Sequence, residues 1–157
     1  MAVLHKRLLA LLEDPRTRKV LSAAGSDGVP HTVFKDSIRA DSEGNIRFYE
    51  LIETSSTNKN LVYSLWFKKP VSIAVLGVDD TSFDITGIPY RSIICGGEFE
   101  EAYISIRKSL GGDADLSAIW VIKPESVREN TFQVRLREAA GKYPLIGHLD
   151  RYLNEQA

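Results

Sequence analysis

The chain has 157 residues, of which 43% are hydrophobic, and a net charge of −1. That length and composition suit a single domain, residues 1–157, built on one core. The balance of 20 basic against 21 acidic residues argues against the broad basic face that nucleic-acid binding needs, so no nucleic-acid partner is expected.

Cysteine content and the N-terminal segment restrict the class of protein further. The single cysteine, Cys95, excludes an internal disulfide and a cysteine-rich metal site. Its neighbours Ile93 and Ile94 are apolar, which predicts a buried thiol. Lys6 and Arg7 interrupt the apolar start, no signal-peptide cleavage site is evident, and no apolar run reaches about 20 residues. We therefore expect a cytoplasmic protein with no metal site and no membrane partner.

The sequence predicts four helices, the first two from apolar residues at helical spacing and the third from the Gly111-Gly112 stop signal that follows it. The predicted helices cover residues 3–13, 55–67, 98–110 and 145–154. In the second of them the apolar positions are Leu61, Val62, Leu65 and Trp66, which form one stripe along the helix. Trp66 is therefore expected to be a core aromatic residue.

The rest of the chain is dominated by short strands separated by turn signals. The predicted strands cover residues 19–24, 30–40, 46–51, 71–76, 82–86, 90–95 and 116–122, with a short last strand at 131–136. Gly87 and Pro89 interrupt this pattern, as they would at a β-bulge or a barrel corner. Six or seven strands with a few short helices predict a mainly β protein, a small closed or partly closed barrel.

The strongest chemical signal lies where the second helix begins. Residues 55–60 read Ser-Ser-Thr-Asn-Lys-Asn, directly after a predicted strand and a short polar loop. The first N–H groups of a helix have no intrahelical partner and, with the helix dipole, can bind an anion. Lys59 adds a positive charge, so a phosphate monoester is the natural ligand. Ser, Thr and Asn also cap helices that bind nothing, and that alternative stays open.

Five motifs occur in a characteristic order along residues 5–125. They are Asp-Gly-Val-Pro-His at 27–31, Gly-Asn-Ile-Arg-Phe-Tyr at 44–49, Ser-Ser-Thr-Asn-Lys-Asn-Leu at 55–61, Lys-Lys-Pro-Val-Ser-Ile-Ala-Val at 68–75 and Ser-Phe-Asp-Ile-Thr-Gly at 82–87. In this order and spacing the chain resembles the FMN-binding split barrels related to pyridoxamine 5'-phosphate oxidase. The resemblance implies a Greek-key split β-barrel and a homodimer that holds FMN in a groove between its subunits.

The resemblance also implies which residues contact the cofactor. The implied phosphate-binding residues are Ser56, Thr57, Asn58 and Lys59. The implied ring-binding residues are His31, Thr32, Val33 and Lys35 on one strand and Tyr49, Glu50 and Leu51 on the next. A cation at Lys35 near the pyrimidine end of the ring would favour the reduced flavin anion, although a solvated strand lysine is the alternative. Trp120 is a candidate for packing on the ring.

The chain departs from the oxidases that give the family its name. Their phosphate loop carries an Arg-Lys pair where this chain has Asn58-Lys59, and their basic, aromatic C-terminal segment is matched only loosely at 134–137. Vitamin B6 oxidation is therefore not expected. The leading hypothesis is an FMN-dependent oxidoreductase of unknown substrate, with NAD(P)H as a candidate reductant. The alternatives are a non-catalytic flavin-binding or sensor protein, a split barrel that uses deazaflavin F420 or haem, and a cofactor-free interaction domain.

Overall fold

A computed structural model describes residues 2–144, which form four helices and seven strands. The helices are α1 Lys6–Glu13, α2 Ser56–Phe67, α3 Gly97–Leu110 and α4 Phe132–Lys142. The strands are β1 Arg18–Ala24, β2 Pro30–Phe34, β3 Arg39–Ala40, β4 Ile46–Glu50, β5 Val71–Leu76, β6 Ser82–Ile93 and β7 Ala118–Glu129. The helix predicted at 145–154 lies outside the described residues.

The seven strands form one antiparallel sheet in the order β2-β1-β5-β6-β7-β4-β3. Its two edge strands, β2 and β3, are joined by residues 35–38 alone, so the sheet must curl until its edges meet. This link is hydrogen-bonded to the strands next to both edges, β1 and β4. Lys35 N–H donates to the Lys19 carbonyl at 2.9 Å, and Tyr49 N–H donates to Ser37 Oγ at 3.0 Å. The predicted split-barrel fold is confirmed as a curled half-barrel.

Two predicted strand boundaries were wrong. The single strand predicted at 30–40 is two strands on opposite edges, because the polar link turns the chain at Lys35–Ile38, where the Ile38 N–H donates to the Lys35 carbonyl. The strands predicted at 82–86 and 90–95 are one strand, β6. Register shifts at Thr86/Gly87 and Pro89/Arg91 interrupt its pairing with β7, which confirms the predicted bulge.

Three further predictions fail for reasons of local geometry. The strand predicted at 131–136 is the start of α4, whose alternating apolar residues imitate a strand pattern. Trp66 is 77% exposed because α2 buries the face that carries Thr57, Leu61 and Ser64 instead. Cys95 is exposed because β6 ends at Ile93 and the chain turns there into α3.

The hydrophobic core lies on the inner face of the sheet, under α1 and α2. Phe48 of β4 and Trp120 of β7 face each other there, and both are almost fully buried. A smaller cluster lies on the outer face of β4 and β7, where α3 packs through Ala102 and Ile106 against Ile119. The sheet therefore has one filled inner face and an outer face that α3 covers only in part.

A buried lysine ties the link between the sheet edges to the rest of the fold. Lys19 of β1 is only 4% exposed. Its ammonium donates to the carbonyls of Leu12 at 2.7 Å, Ile38 at 3.0 Å and Asp36 at 3.2 Å. Burial lowers the pKa of Lys19, although nearby carboxylates, Glu13 first among them, oppose this effect. One side chain thus joins the end of α1 to both halves of the link.

Replacing Lys19 by methionine should lower the free energy of unfolding by about 1–3 kcal/mol, since it leaves buried carbonyls without a donor. The lower folded-state pKa means that the unfolded chain binds more protons as the pH approaches 10.5, so the wild-type protein gains stability there. The variant lacks that gain. Urea denaturation at several pH values should therefore show a difference that grows with pH.

The matched control for that experiment is Lys6→Met, which removes an exposed lysine of α1. Its free energy of unfolding should stay within about 0.5 kcal/mol of wild type at each pH. If the difference in unfolding free energy between wild type and Lys19→Met stays constant or shrinks between neutral and alkaline pH, the lowered pKa of Lys19 is contradicted.

Candidate functional site

Four of the implied ring-binding residues line one cleft at the edge of the barrel. Lys35, Tyr49, Glu50 and Leu51 surround a volume of about 380 Å³, which we call the ring cleft. Its opposite wall is apolar and comes from the last turns of α3, through Ile106 and Leu110. The cleft thus combines a polar edge with an apolar wall, the usual composition of a site for a planar organic ligand.

The polar edge of the ring cleft is an ion pair. Lys35 Nζ lies 2.8 Å from Glu50 Oε2, and the side chains are 16% and 1% exposed. Glu50 also accepts the Ile52 N–H at 3.1 Å, and the Lys35 ammonium lies 5.6 Å from the Phe48 ring centroid. The positive charge expected at Lys35 is therefore accompanied by a buried carboxylate, and of the pair it is the Lys35 ammonium that is partly exposed as a donor.

Tyr49 is held rigidly beside this pair. Its N–H donates to Ser37 Oγ at 3.0 Å, and its hydroxyl accepts a hydrogen bond from the Arg39 guanidinium. The same guanidinium lies 4.2 Å from the centroid of the tyrosine ring, within cation–π distance. The tyrosine is thus fixed from the backbone, from its hydroxyl and from one ring face.

The implied ring-binding residues of β2 lie apart from that cleft. Thr32 is exposed, and its hydroxyl hydrogen-bonds Ser22 across the β1–β2 pair. Val33 packs against the core, and His31 is half-buried opposite Ala23 in the strand register. Among the four implied ring-binding residues at 31–35, Lys35 is therefore the one that lines the ring cleft.

The loop that opens α2 has the geometry of a capped helix start. Ser55 is the N-cap, and its Oγ accepts the Asn58 N–H at 3.0 Å, while its carbonyl accepts the Lys59 N–H at 3.1 Å. Helix geometry gives the N–H groups of Ser56 and Thr57 no intrahelical carbonyl. The Ser55 cap therefore satisfies only some of the backbone N–H groups of the first turn, and the N–H groups of Ser56 and Thr57 remain for a ligand.

The Asn58 side chain serves the fold. Its Oδ1 accepts the Nε1–H of the buried Trp120 at 2.9 Å, and its Nδ2 donates to the Glu53 carbonyl at 2.8 Å. Both Asn58 and Trp120 line a second cleft of about 480 Å³, which Leu51 shares with the ring cleft. Trp120 thus lies at the base of this cleft, with its ring in the core.

The remaining loop residues face different ways. Ser56 is exposed and Thr57 is 3% exposed. Lys59 lies in a third cleft of about 260 Å³ beside Asp27 and Asn60. Asn60 in turn donates to the Ala23 carbonyl at 3.0 Å. The four implied phosphate-binding side chains therefore do not converge on one point, and the helix start lies between two clefts.

Sequence reasoning did not find the apolar wall of the ring cleft or the arginine that fixes Tyr49. Ile106 and Leu110 have the i, i+4 spacing of one helix face, but the sequence does not say which face of the sheet α3 covers. Arg39 lies inside the segment predicted as a single strand. In the structure it belongs to the separate strand β3, which pairs with β4 and brings Arg39 beside Tyr49.

Asn58→Ala should lower the free energy of unfolding by about 1–3 kcal/mol, because it leaves the buried Trp120 N–H without its acceptor. Its exposed neighbour provides the control, since Lys59→Ala removes a side chain with little packing and should change stability by less than about 0.5 kcal/mol. Urea denaturation of both variants makes the comparison. Equal stabilities would show that the Trp120–Asn58 bond contributes nothing to the fold.

Comparison with known proteins identifies the fold. No protein-family model matches the chain, and no curated protein matches it significantly. Solved structures do match. HupZ of group A Streptococcus has 14% identity and a TM-score of 0.67 over 83% of this chain and 96% of the other. An FMN-binding protein of Syntrophomonas wolfei has 11% identity and a TM-score of 0.61 over 79% of this chain and 84% of the other. An F420 reductase has 17% identity and a TM-score of 0.58 over 76% of this chain and 94% of the other.

Two other matching structures carry the name pyridoxamine 5'-phosphate oxidase as a provisional assignment, and a third is named as a related FMN-binding protein. The chain has the split-barrel fold of this family. At these identities the likeness concerns the fold alone. Within residues 2–144, no helix is long and apolar enough to cross a membrane, and no three His, Cys, Asp or Glu side chains are grouped as a metal site would require.

Proposed function

We propose that this protein binds FMN and acts as an oxidoreductase, with the isoalloxazine ring in the ring cleft. The observation that carries the proposal is the Lys35–Glu50 ion pair facing the apolar wall of α3, on a fold shared with FMN-binding proteins. Bound FMN would supply the transfer of a hydride or of single electrons. NAD(P)H is the first reductant to test.

The residues present fit the ring of a flavin. Its pyrimidine end carries carbonyl groups that can accept a hydrogen bond from the Lys35 ammonium, which the buried Glu50 carboxylate holds in place. Leu51, Ile106 and Leu110 would cover the apolar part of the ring and exclude water from it. The fixed Tyr49 closes the same side of the cleft.

The start of α2 fits a phosphate through its backbone more than through its side chains. The N–H groups of Ser56 and Thr57 and the dipole of a 12-residue helix favour an anion there, and Lys59 adds a charge on the first turn. The Asn58 amide is committed to Trp120 and Glu53. In this proposal it shapes the helix start and does not bind the phosphate.

Replacing Lys59 or Thr57 by alanine should weaken FMN binding about five- to tenfold, through loss of a charge or disturbance of the first turn. Riboflavin, which lacks the phosphate, should bind wild type and Lys59→Ala equally. Quenching of flavin fluorescence on titration measures both affinities. Lys108→Ala, an exposed lysine of α3, is the control, and unchanged FMN affinity in both loop variants would overturn the phosphate assignment.

We also propose that the protein forms a homodimer through the outer face of β1, β2 and β5. Phe34, Val20 and Ala74 lie side by side in the strand register, and Phe34 is 67% exposed. With Leu76 they line an apolar cleft of about 420 Å³. The smaller hydrophobic cluster under α3 lies on the other half of the sheet, so this half is available to a second copy.

Phe34→Asp should convert the dimer to a monomer, because dimer formation would bury an unpaired charge on this apolar face. Sedimentation equilibrium at micromolar concentration measures the change. Ile104→Asp is the matched control, since Ile104 is a similarly exposed residue on α3, and it should leave the dimer intact. A wild-type protein that sediments as a monomer while saturated with FMN would overturn the proposal.

Deazaflavin F420 is the second candidate cofactor, because an F420 reductase shares the fold over 94% of its own chain. The two cofactors share the type of planar ring that the cleft would hold, and they differ in absorption and in mass. The spectrum of the purified protein, with the mass of any released cofactor, decides between them. A colourless protein that binds neither added cofactor would refute both.

A further inference from the structure

Three arginines lie in one row across the outer face of the sheet. Arg39 of β3 pairs with Arg47 of β4, Arg47 pairs with Val121 of β7, and Val121 pairs with Arg91 of β6. Residues directly opposite in a sheet have their side chains on the same face, with Cβ atoms about 5 Å apart. The register therefore places these three guanidinium side chains, which we call the arginine row, on one surface.

The row lies on the opposite face from the core. Trp120 and Ile122 point into the core on either side of Val121, so Val121 and its lateral neighbours point outward. The start of α3 is beside the row, since Glu98 of its first turn is hydrogen-bonded to Arg47. The Asn58–Trp120 contact at the start of α2 is therefore separated from the row by the sheet itself.

The positive charge of the row is compensated only in part. Arg39 donates to the Tyr49 hydroxyl and forms no ion pair among the described residues. Arg47 is paired with Glu98, yet its buried Nε has no acceptor among the described residues. Arg91 is exposed above the ring of Tyr90, and Lys123 lies on that same ring at 4.4 Å. Like charges side by side in a sheet are destabilising, so this surface is stabilised by any anion that binds it.

We propose that the arginine row binds the phosphate groups of a soluble phosphorylated small molecule on the outer face of the sheet, next to the ring cleft, to which Arg39 is connected through Tyr49. Planar guanidinium groups match the tetrahedral oxygens of phosphate and bind them with paired hydrogen bonds. The strands that carry Arg39 and Arg91 are three strand spacings, or about 14 Å, apart, so a ligand with more than one phosphate group meets more of the row than a single carboxylate does. The proposal does not depend on which cofactor fills the ring cleft.

Glu98 would compete with such a ligand. Its side chain is 48% exposed, whereas that of Arg47 is 14% exposed, so the carboxylate can leave toward solvent while the arginine stays in place. A phosphate that replaces it would also meet the first N–H groups of α3, whose N-cap Gly96 supplies no side-chain acceptor. Removal of the Glu98 charge should therefore strengthen phosphate binding.

Isothermal titration calorimetry at low salt, with inorganic pyrophosphate and with ADP, tests the proposal. Wild type should bind both saturably and should not bind adenosine. Arg91→Gln should weaken binding about tenfold because it removes one charged hydrogen-bond donor, whereas Glu98→Gln should tighten binding several-fold because it removes the competing carboxylate. Arg135→Gln, an exposed arginine of α4, should bind as wild type does.

Weaker binding in Arg91→Gln with unchanged binding in Arg135→Gln would support a specific site, since general charge attraction would fall equally in both variants. Absence of saturable binding by wild type, or equal losses in Arg91→Gln and Arg135→Gln, would overturn the proposal. Fluorescence titration with FMN on the same variants separates this result from the flavin hypothesis. FMN affinity should be unchanged in Arg91→Gln, and a parallel loss would show that the row belongs to the flavin site.

Discussion

The barrel depends on a four-residue link that must join the two edges of its sheet. Lys35 follows one edge strand and Glu50 ends the strand next to the other edge, so their ion pair exists only because the sheet has closed. Lys19 stabilises that closure from inside through carbonyls on the link and at the end of α1. The polar edge of the ring cleft is thus a consequence of the fold and could not form on an open sheet.

Sequence patterns predicted the mainly β class and the positions of α1, α2 and α3, because apolar periodicity reports which residues are buried. They failed where local pattern and tertiary position disagree. Phe132, Val134 and Leu136 alternate as in a strand, yet they begin a helix that buries none of its residues. Trp66 has a helical apolar spacing, yet its face of α2 is turned to solvent, because burial depends on where the sheet lies.

The candidate site could be predicted only in part for the same reason. The resemblance implied Tyr49, Glu50 and Leu51 as ring contacts, and these consecutive residues at the end of β4 line the ring cleft together. The α2 loop was predicted as a capped helix start, and the resemblance implied a phosphate contact for Asn58, whose amide oxygen accepts the Trp120 N–H in the structure. That contact joins residues 62 positions apart, and no local pattern contains it.

Helix α3 relates the two proposed sites to each other. Glu98 in its first turn is paired with Arg47 of the arginine row, and Ile106, eight residues later, lines the ring cleft. At 1.5 Å per residue these positions are about 12 Å apart along one rigid helix. The helix thus fixes the distance between the two proposed sites, because an α-helix cannot shorten between Glu98 and Ile106 without losing its hydrogen bonds.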